Sequence, residues 1–322
     1  MKDMSDLKKH LGSLNTIEPL TGAHRFSHRA MATIYEIFIV HDDPIYARQA
    51  AHEAFSELDR LEQDLSRFIA NSDIARLNKL QPNQALTIGL AAFECLQLGD
   101  RLHEETAGAF VITIGPLLKC WLNPDKTPRV PSADELEFAR QRSGFHLLQL
   151  DETVCTVQVQ AGPLHVDLGG IGKGYAVDRM AQLLRDWDID TALIHGGTSS
   201  VLALSAPVGH EGWPITLSSP NNQILSRLHL RNQPLGGSGL QKGQHIIDPR
   251  TGRPVTGNLA AWASASNAAS SDGLSTAFMV MSPVEIENYC HRHPEVSAMI
   301  VTREKLFRFG RWEQFDASTL TR

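Results

Sequence analysis

The sequence predicts an α+β fold with mixed, largely antiparallel sheets and helices packed outside them. Three observations carry this. Strand-like stretches of β-branched and apolar residues come in hairpin-like groups, as at 214–217 followed by 224–231. Single helical patterns interrupt these groups instead of alternating with every strand, which argues against a doubly wound parallel sheet. The chain has 322 residues, 42% of them hydrophobic and 20% charged, enough to bury a sizeable core.

Each element follows from local pattern. Residues 1–24 are polar and irregular and read as a loosely held arm. Residues 33–41, T-I-Y-E-I-F-I-V-H, form an apolar, β-rich strand. Over 44–65, Ala47, Ala51, Ala54, Phe55, Leu58, Leu61 and Leu65 recur at spacings of three and four, the face of a long amphipathic helix. Ser72 caps a short helix carrying Ile74 and Leu77. A helix over 89–105 aligns Ala91, Cys95, Leu98 and Leu102, and Gly108 is placed to stop it. Residues 108–121, G-A-F-V-I-T-I-G-P-L-L-K-C-W, read as a strand broken at Gly115-Pro116. A proline-rich loop over 122–131 leads to Ser132 and Glu135, a capping box for a helix reaching about residue 142.

Short strands near 147–150 and 154–160 precede V-D-L-G-G-I-G-K-G-Y-A-V-D at 166–178. Here an apolar strand over 164–168 meets a glycine turn, and a helix then carries Tyr175, Ala176, Met180, Leu183 and Leu184. Strands follow at 191–194, 201–204, 214–217 and 224–231. The glycine-rich stretch 236–255 contains D-P-R-T-G, with the Asp, Pro and Gly of a turn. A strand at 259–266 and a helix opening at Ser270-Ser271-Asp272, with Leu274, Phe278 and Met281 on its apolar face, come next. Strands at 297–302 and 305–309 close the chain.

Composition excludes several classes. Net charge is −6 with both signs interspersed, so no nucleic-acid footprint is present. No apolar run is long enough for a membrane span. Residues 1–15 are charged and lack the apolar core of a secretory signal, which leaves the cytoplasm as the expected compartment. Four cysteines without a C-x-x-C read as buried free thiols. Whether the chain forms a homo-oligomer is left open.

Three constellations could carry chemistry. A strand, glycine turn and helix point backbone N–H groups and a helix N-terminus at an anion, with Asp167 and Lys173 alongside; the same glycines would also serve a tight packing turn. The motif is neither a P-loop nor a dinucleotide fingerprint. Asp272 and Thr276, spaced i and i+4, put a carboxylate and a hydroxyl on one helix face, a donor set for a hard cation such as Mg²⁺. An Asp early in a helix is equally explained by the macrodipole. His245 stands beside Ile246 and Ile247 and is a catalytic candidate or a packed histidine. The stretch 108–121 is a pocket wall or core. Spacing alone does not choose.

Taken together, however, the segments resemble those of the FAD:protein FMN transferases, the ApbE flavin-transferase family. M-A-T at 31–33 is followed by L-S-R-F, D-I-A-R-L-N, G-A-F-V-I-T-I-G-P-L…W, and V-D-L-G-G-I-G-K-G-Y-A-V-D. A-L-I-H-G-G, H-I-I-D-P-R-T-G-R-P-V and S-D-G-L-S-T-A-F complete the series in the family's order. The resemblance implies a single domain over 25–322 with a T-fold-like architecture. It implies Mg²⁺-dependent transfer of FMN from FAD to a Ser or Thr hydroxyl of a target flavoprotein, releasing AMP. FAD would contact Met31, Phe68, Ala109, Phe110, Val111, Asp167, Lys173 and Ile246. Gly170, through its backbone oxygen, Asp272 and Thr276 would hold the metal. His245 and Asp272 would be the catalytic residues, His245 giving acid–base help or positioning the acceptor.

The chain departs from the family pattern in three places. Val111 stands where the family usually has Asp. Thr198-Ser199-Ser200 follow the glycine pair where Asp or Asn is frequent, and the loop before His245 is short. The metal and phosphate residues are kept while the flavin and acceptor sides are altered. An FAD pyrophosphatase releasing FMN and AMP, or a non-catalytic FAD-binding protein, are therefore the alternative readings.

Overall fold

Side-chain alternation sets the architecture. In the strand Thr33–Val40, Tyr35, Ile37 and Ile39 point into one apolar cluster and Phe38 into another, and all four are buried. A strand of this kind needs cover on both faces. The structure, a computed structural model, describes residues 14–15, 22–123, 125, 127–218, 223–240 and 246–315.

In chain order, β1 (Leu14–Asn15), β2 (Ala23–Ala30), β3 (Thr33–Val40), α1 (Pro44–Leu65) and α2 (Asp73–Leu77) come first. β4 (Ala85–Thr87), α3 (Leu90–Glu105), α4 (Gly115–Cys120), α5 (Ala133–Arg140), β5 (Leu148–Asp151) and β6 (Thr156–Val159) follow. Next are α6 (Gly172–Asp186), β7 (Ala192–Gly196), β8 (Ser200–Ala203), β9 (Trp213–Ser218), β10 (Ile224–Leu230) and β11 (Gln233–Gly239). The last are β12 (Ile247–Asp248), β13 (Arg253–Pro254), β14 (Asn258–Ser264), α7 (Ala268–Val280), α8 (Pro283–Arg292), β15 (Ser297–Thr302) and β16 (Leu306–Phe309).

Eight strands form one sheet in the order β16-β15-β14-β11-β8-β7-β3-β2. Every ladder in it is antiparallel. One face carries α1, α3, α6 and α7 over the main core. The other is covered by β9 and β10, with β1 pairing β9 at the edge and Trp213, Trp262, Met299 and Trp312 filling the space between. A small separate sheet, β4-β6-β5, packs Leu148, Val157 and Val159 into the same main core. The α+β expectation holds. All four cysteines are free; Cys95, Cys120 and Cys290 are buried and Cys155 half-buried. Among the described residues no helix is long and apolar enough to cross a membrane.

Several local expectations are corrected. Ala23–Ala30 is a strand that sequence reading missed; it is an edge strand rich in His, Arg and Ser, with no apolar run to mark it. Within the expected arm, Leu14–Asn15 pair with β9 and Ala23 already belongs to β2; most of the rest lies outside the described residues. Residues 109–114 are coil and 115–120 are helix, because Pro116 sits in the first helical turn, where its missing N–H costs nothing. Residues 164–168 pair with no strand. The last helix before α8 starts at Ala268, capped by Asn267, so Asp272 lies a full turn inside it.

That helix, α7, is rich in Ala, Ser and Gly in its first half and comes very close to its neighbours. A Cβ on Gly174 of α6 would stand 2.2 Å from the Ala268 carbonyl oxygen, and one on Gly236 of β11 would stand 2.1 Å from that of Ser271. Gly174→Ala should therefore destabilise the protein by about 1–3 kcal/mol. Gly257→Ala, at a site with nothing within 4 Å of a new Cβ, should stay within about 0.5 kcal/mol. Urea midpoints read both, and equal shifts would contradict the close approach.

Candidate active site

The glycine turn hangs on a side chain. The Val166 N–H donates to Asn78 Oδ1 at 2.6 Å, and Asn78 Nδ2 donates back to the Val166 carbonyl at 2.9 Å. One amide thus replaces a neighbouring strand. The Asp167 N–H donates to the Ile112 carbonyl at 2.7 Å. These bonds hold 164–168 extended without a ladder and aim Asp167 forward. Its Oδ1 accepts the Gly169 N–H at 2.9 Å, and its Oδ2 pairs with Arg67 Nε at 3.1 Å.

Past the turn, the N-cap position of α6 is Ile171, whose own side chain offers no cap. Lys173 Nζ donates to the Gly169 carbonyl at 2.8 Å and lies 3.3 Å from Asp272 Oδ2. The same oxygen accepts the Gly174 N–H at 3.1 Å. Asp272 is 2% exposed; burial pushes its pKa up, and Lys173 and the Gly174 N–H oppose that shift. Thr276 lies one turn on, with Oγ1 3.1 Å from Ser238 Oγ and turned toward Gly170.

A second carboxylate braces the same helices from the other side. Asp178 of α6 accepts the N–H groups of Ala268 and Ala269, each at 2.8 Å, and so caps α7. Burial raises its pKa to about 6 against the pull of those two donors.

Two adjoining cavities meet at the turn. One of about 340 Å³ is walled by Ala109, Phe110, Val111, Gly170, Ile246, Asp272 and Thr276. The other, of about 300 Å³, is walled by Met31, Glu62, Arg67 and Phe68. Asp167, Gly169, Lys173, Thr198 and Ser199 belong to both. Every site residue expected from the sequence therefore lines this cleft except His245, which lies outside the described residues. Val111 is 7% exposed and faces the first cavity from coil. The Phe110 ring lies against Gly170, where an added Cβ would stand 3.0 Å from Cε2.

Met31 enters the second cavity from a strained hairpin. Met31 and Ala32 both have positive φ, 47° and 59°, in the tight turn between β2 and β3, where Asn-Gly would be the relaxed choice. The Met31 N–H donates to Glu62 Oε1 at 2.8 Å, and Tyr35 Oη donates to Met31 Sδ at 3.3 Å. On the opposite wall, the Gly252 N–H closes the D-P-R-T-G turn onto the Asp248 carbonyl, and Trp121 Nε1 donates to the Gly252 carbonyl at 2.7 Å. Pro249 of that turn also faces the first cavity. Sequence reasoning did not single out Arg67, Asn78, Glu62, Ser238 or Asp178. Arg67, Asn78 and Asp178 stood inside the motifs, yet nothing in one sequence marks a side chain whose partner is distant backbone.

An anion at the junction would meet the Lys173 ammonium at the head of α6, and a buried carboxylate and two hydroxyls stand beside it. Known proteins share the sequence pattern and the fold. The ApbE family matches residues 31–300. An FAD:protein FMN transferase of Klebsiella pneumoniae is 26% identical over 316 residues, 92% of this chain and 89% of its own. One from Chlamydia muridarum is 30% identical over 217 residues, 65% of this chain and 67% of its own. The ApbE protein of Thermotoga maritima superposes with a TM-score of 0.82 at 25% identity, covering 91% of this chain and 99% of that one. The apo flavinyl transferase ApbE of Pseudomonas stutzeri gives 0.81 at 25%, covering 91% and 96%.

Asp178 makes the helix brace pH-dependent. Its carboxyl titrates near 3.8 when unperturbed and at about 6 in the fold. Between those values the folded chain holds a proton that the unfolded chain has released, so stability falls as pH rises through the window. Wild type should lose roughly 3 kcal/mol relative to Asp178→Asn across it. Urea midpoints of both proteins from about pH 4 to 7 give the difference, and parallel curves would contradict the assignment.

Proposed function

Since the chain belongs to the ApbE family and is by that membership a flavin transferase, we propose that it moves FMN from FAD onto a Ser or Thr hydroxyl of a target flavoprotein. The observation that carries this is the meeting of two cavities at the glycine turn, where Lys173 and the N-terminus of α6 stand beside Asp272. FAD is two aromatic halves joined by a pyrophosphate. The flavin would lie in the cavity of Phe110, Val111 and Ile246, the adenosine half beside Met31 and the exposed ring of Phe68, and the pyrophosphate between them.

The acceptor oxygen attacks the FMN phosphorus, the P–O bond to the AMP phosphate breaks, and the hydroxyl proton passes to a base. His245 is assigned that proton, or the positioning of the acceptor, on its motif alone. Lys173 and the positive end of the α6 dipole offset the charge of the departing phosphate, and the cleft walls fix the two reacting atoms.

The donors fit Mg²⁺. Among the described residues no group of three or more His, Cys, Asp or Glu side chains could cage a metal. Mg²⁺ needs no such cage, since it keeps waters and takes substrate phosphates with one or two carboxylates. Asp272, the Thr276 hydroxyl and the Gly170 carbonyl would hold it. When bound, it would offset the pyrophosphate charge.

Incubation with FAD and Mg²⁺, with and without a candidate acceptor, tests the reading. AMP together with protein-linked FMN, only when acceptor is present, is the expected result. Free FMN and AMP without acceptor would make the protein a pyrophosphatase, and a tight, intact FAD complex a binding protein. Asp272→Ala should abolish turnover and metal affinity; full activity in excess chelator would rule out the cation. Val111→Asp should tighten FAD binding roughly tenfold by pairing a ring N–H that valine leaves unmet. If it instead destabilises the protein by about 3 kcal/mol with FAD affinity unchanged or weaker, Val111 is only core.

A further inference from the structure

Beside the cleft, two cations converge on one imidazole. His165 Nε2 lies 3.1 Å from Arg67 Nη1, and its Nδ1 lies 3.3 Å from Lys119 Nζ. Neither neighbour can accept a hydrogen bond, and a neutral imidazole has a single lone pair. One of these contacts therefore sets a ring N–H against a cation. Burial, Lys119 and Arg67 together push the His165 pKa down. The nearby carboxylate, Asp167, is already engaged by Arg67 Nε and the Gly169 N–H. Among the described residues, Lys119 meets no carboxylate.

The cluster is built into the fold. The His165 ring occupies the space a Gly115 side chain would need, since a Cβ there would stand 1.8 Å from Cδ2. The Gly115 N–H donates to the His165 carbonyl at 3.3 Å. The Arg67 guanidinium is stacked 4.3 Å over the Phe68 ring, which fixes its plane. Position decides the ligand. Arg67 borders the cleft, but His165 and Lys119 line neither cavity, and Lys119 is exposed. A dinucleotide confined to the two cavities leaves Lys119 without a counter-charge. On a chain of net charge −6, a local basic site is what an acidic segment would need in order to approach.

Resting on the flavin-transferase reading, we propose that Arg67, His165 and Lys119 form the docking site for a carboxylate side chain of the acceptor protein. The carboxylate takes the Lys119 and imidazole donors and completes the pairing the cluster lacks. The acceptor hydroxyl is thereby delivered to the cleft from the Asp167 side.

The probes are a short peptide with one Thr flanked by aspartates, its twin with asparagines, and inorganic phosphate. Each is added to the whole protein while the His165 ring protons are followed by NMR. The aspartate peptide should move those resonances, and the twin and phosphate should not. Lys119→Glu should weaken the aspartate peptide about tenfold, with a salt-sensitive wild-type affinity and an unchanged FAD affinity. Equal binding of the two peptides, an equal response to phosphate, or no effect of Lys119→Glu would overturn the proposal. If the aspartate peptide binds in this way but no candidate acceptor protein receives FMN, the transferase reading fails and the carboxylate site stands.

Discussion

A carboxylate buried where α6 meets α7 holds the working parts of this protein together. Asp272 is taken out of water, which is costly unless its charge is met inside. The first turn of α6 supplies the Lys173 ammonium and the Gly174 N–H to one of its oxygens. Asp178 does the reverse, reaching from α6 to cap α7. The two helices are cross-braced, each by an acid of the other. That bracing fixes the demand for small residues at the crossing, since a Cβ at Gly174 would collide with α7 backbone. It also fixes the glycine turn, which leads directly into the braced end of α6.

The cleft inherits its character from this brace. Its centre is polar and carries both charge signs at Asp167, Lys173 and Asp272, while Phe110, Val111 and Ile246 at one end and Met31 and Phe68 at the other are apolar. A ligand with two flat ends and an anionic middle matches that order. The positive-φ turn at Met31 and Ala32 is held by Glu62 and Tyr35, which is how strain persists at the rim of the second cavity.

Much of the fold could be read from local pattern. The long helix α1 announces itself by its alanine and leucine stripe, and both α5 and α8 start with the Ser…Glu capping box; sequence reading identified the first of these. What failed was the reading of stretches whose conformation is decided by distant partners. The run 164–168 looks like a strand because it is extended and apolar, yet its partners are the Asn78 side chain and the Ile112 carbonyl. The stretch 109–114 has strand-like residues but lines a cavity. β2 carries so many polar residues that only its pairing with β3 makes it a strand. The candidate site was more legible than these elements, because the motifs stayed together in the family's order. Thr198 and Ser199, read as a departure, stand on the wall shared by both cavities.

Crystals grown with FAD and Mn²⁺ give the most direct test of the central assignment, that Asp272 organises a cation beside the glycine turn. Anomalous scattering should place the ion about 2 Å from the Asp272 carboxylate, the Thr276 hydroxyl and the Gly170 carbonyl. The pyrophosphate should lie against Lys173, with the flavin ring in the Phe110 cavity. Manganese elsewhere, or a dinucleotide outside the two joined cavities, would contradict it.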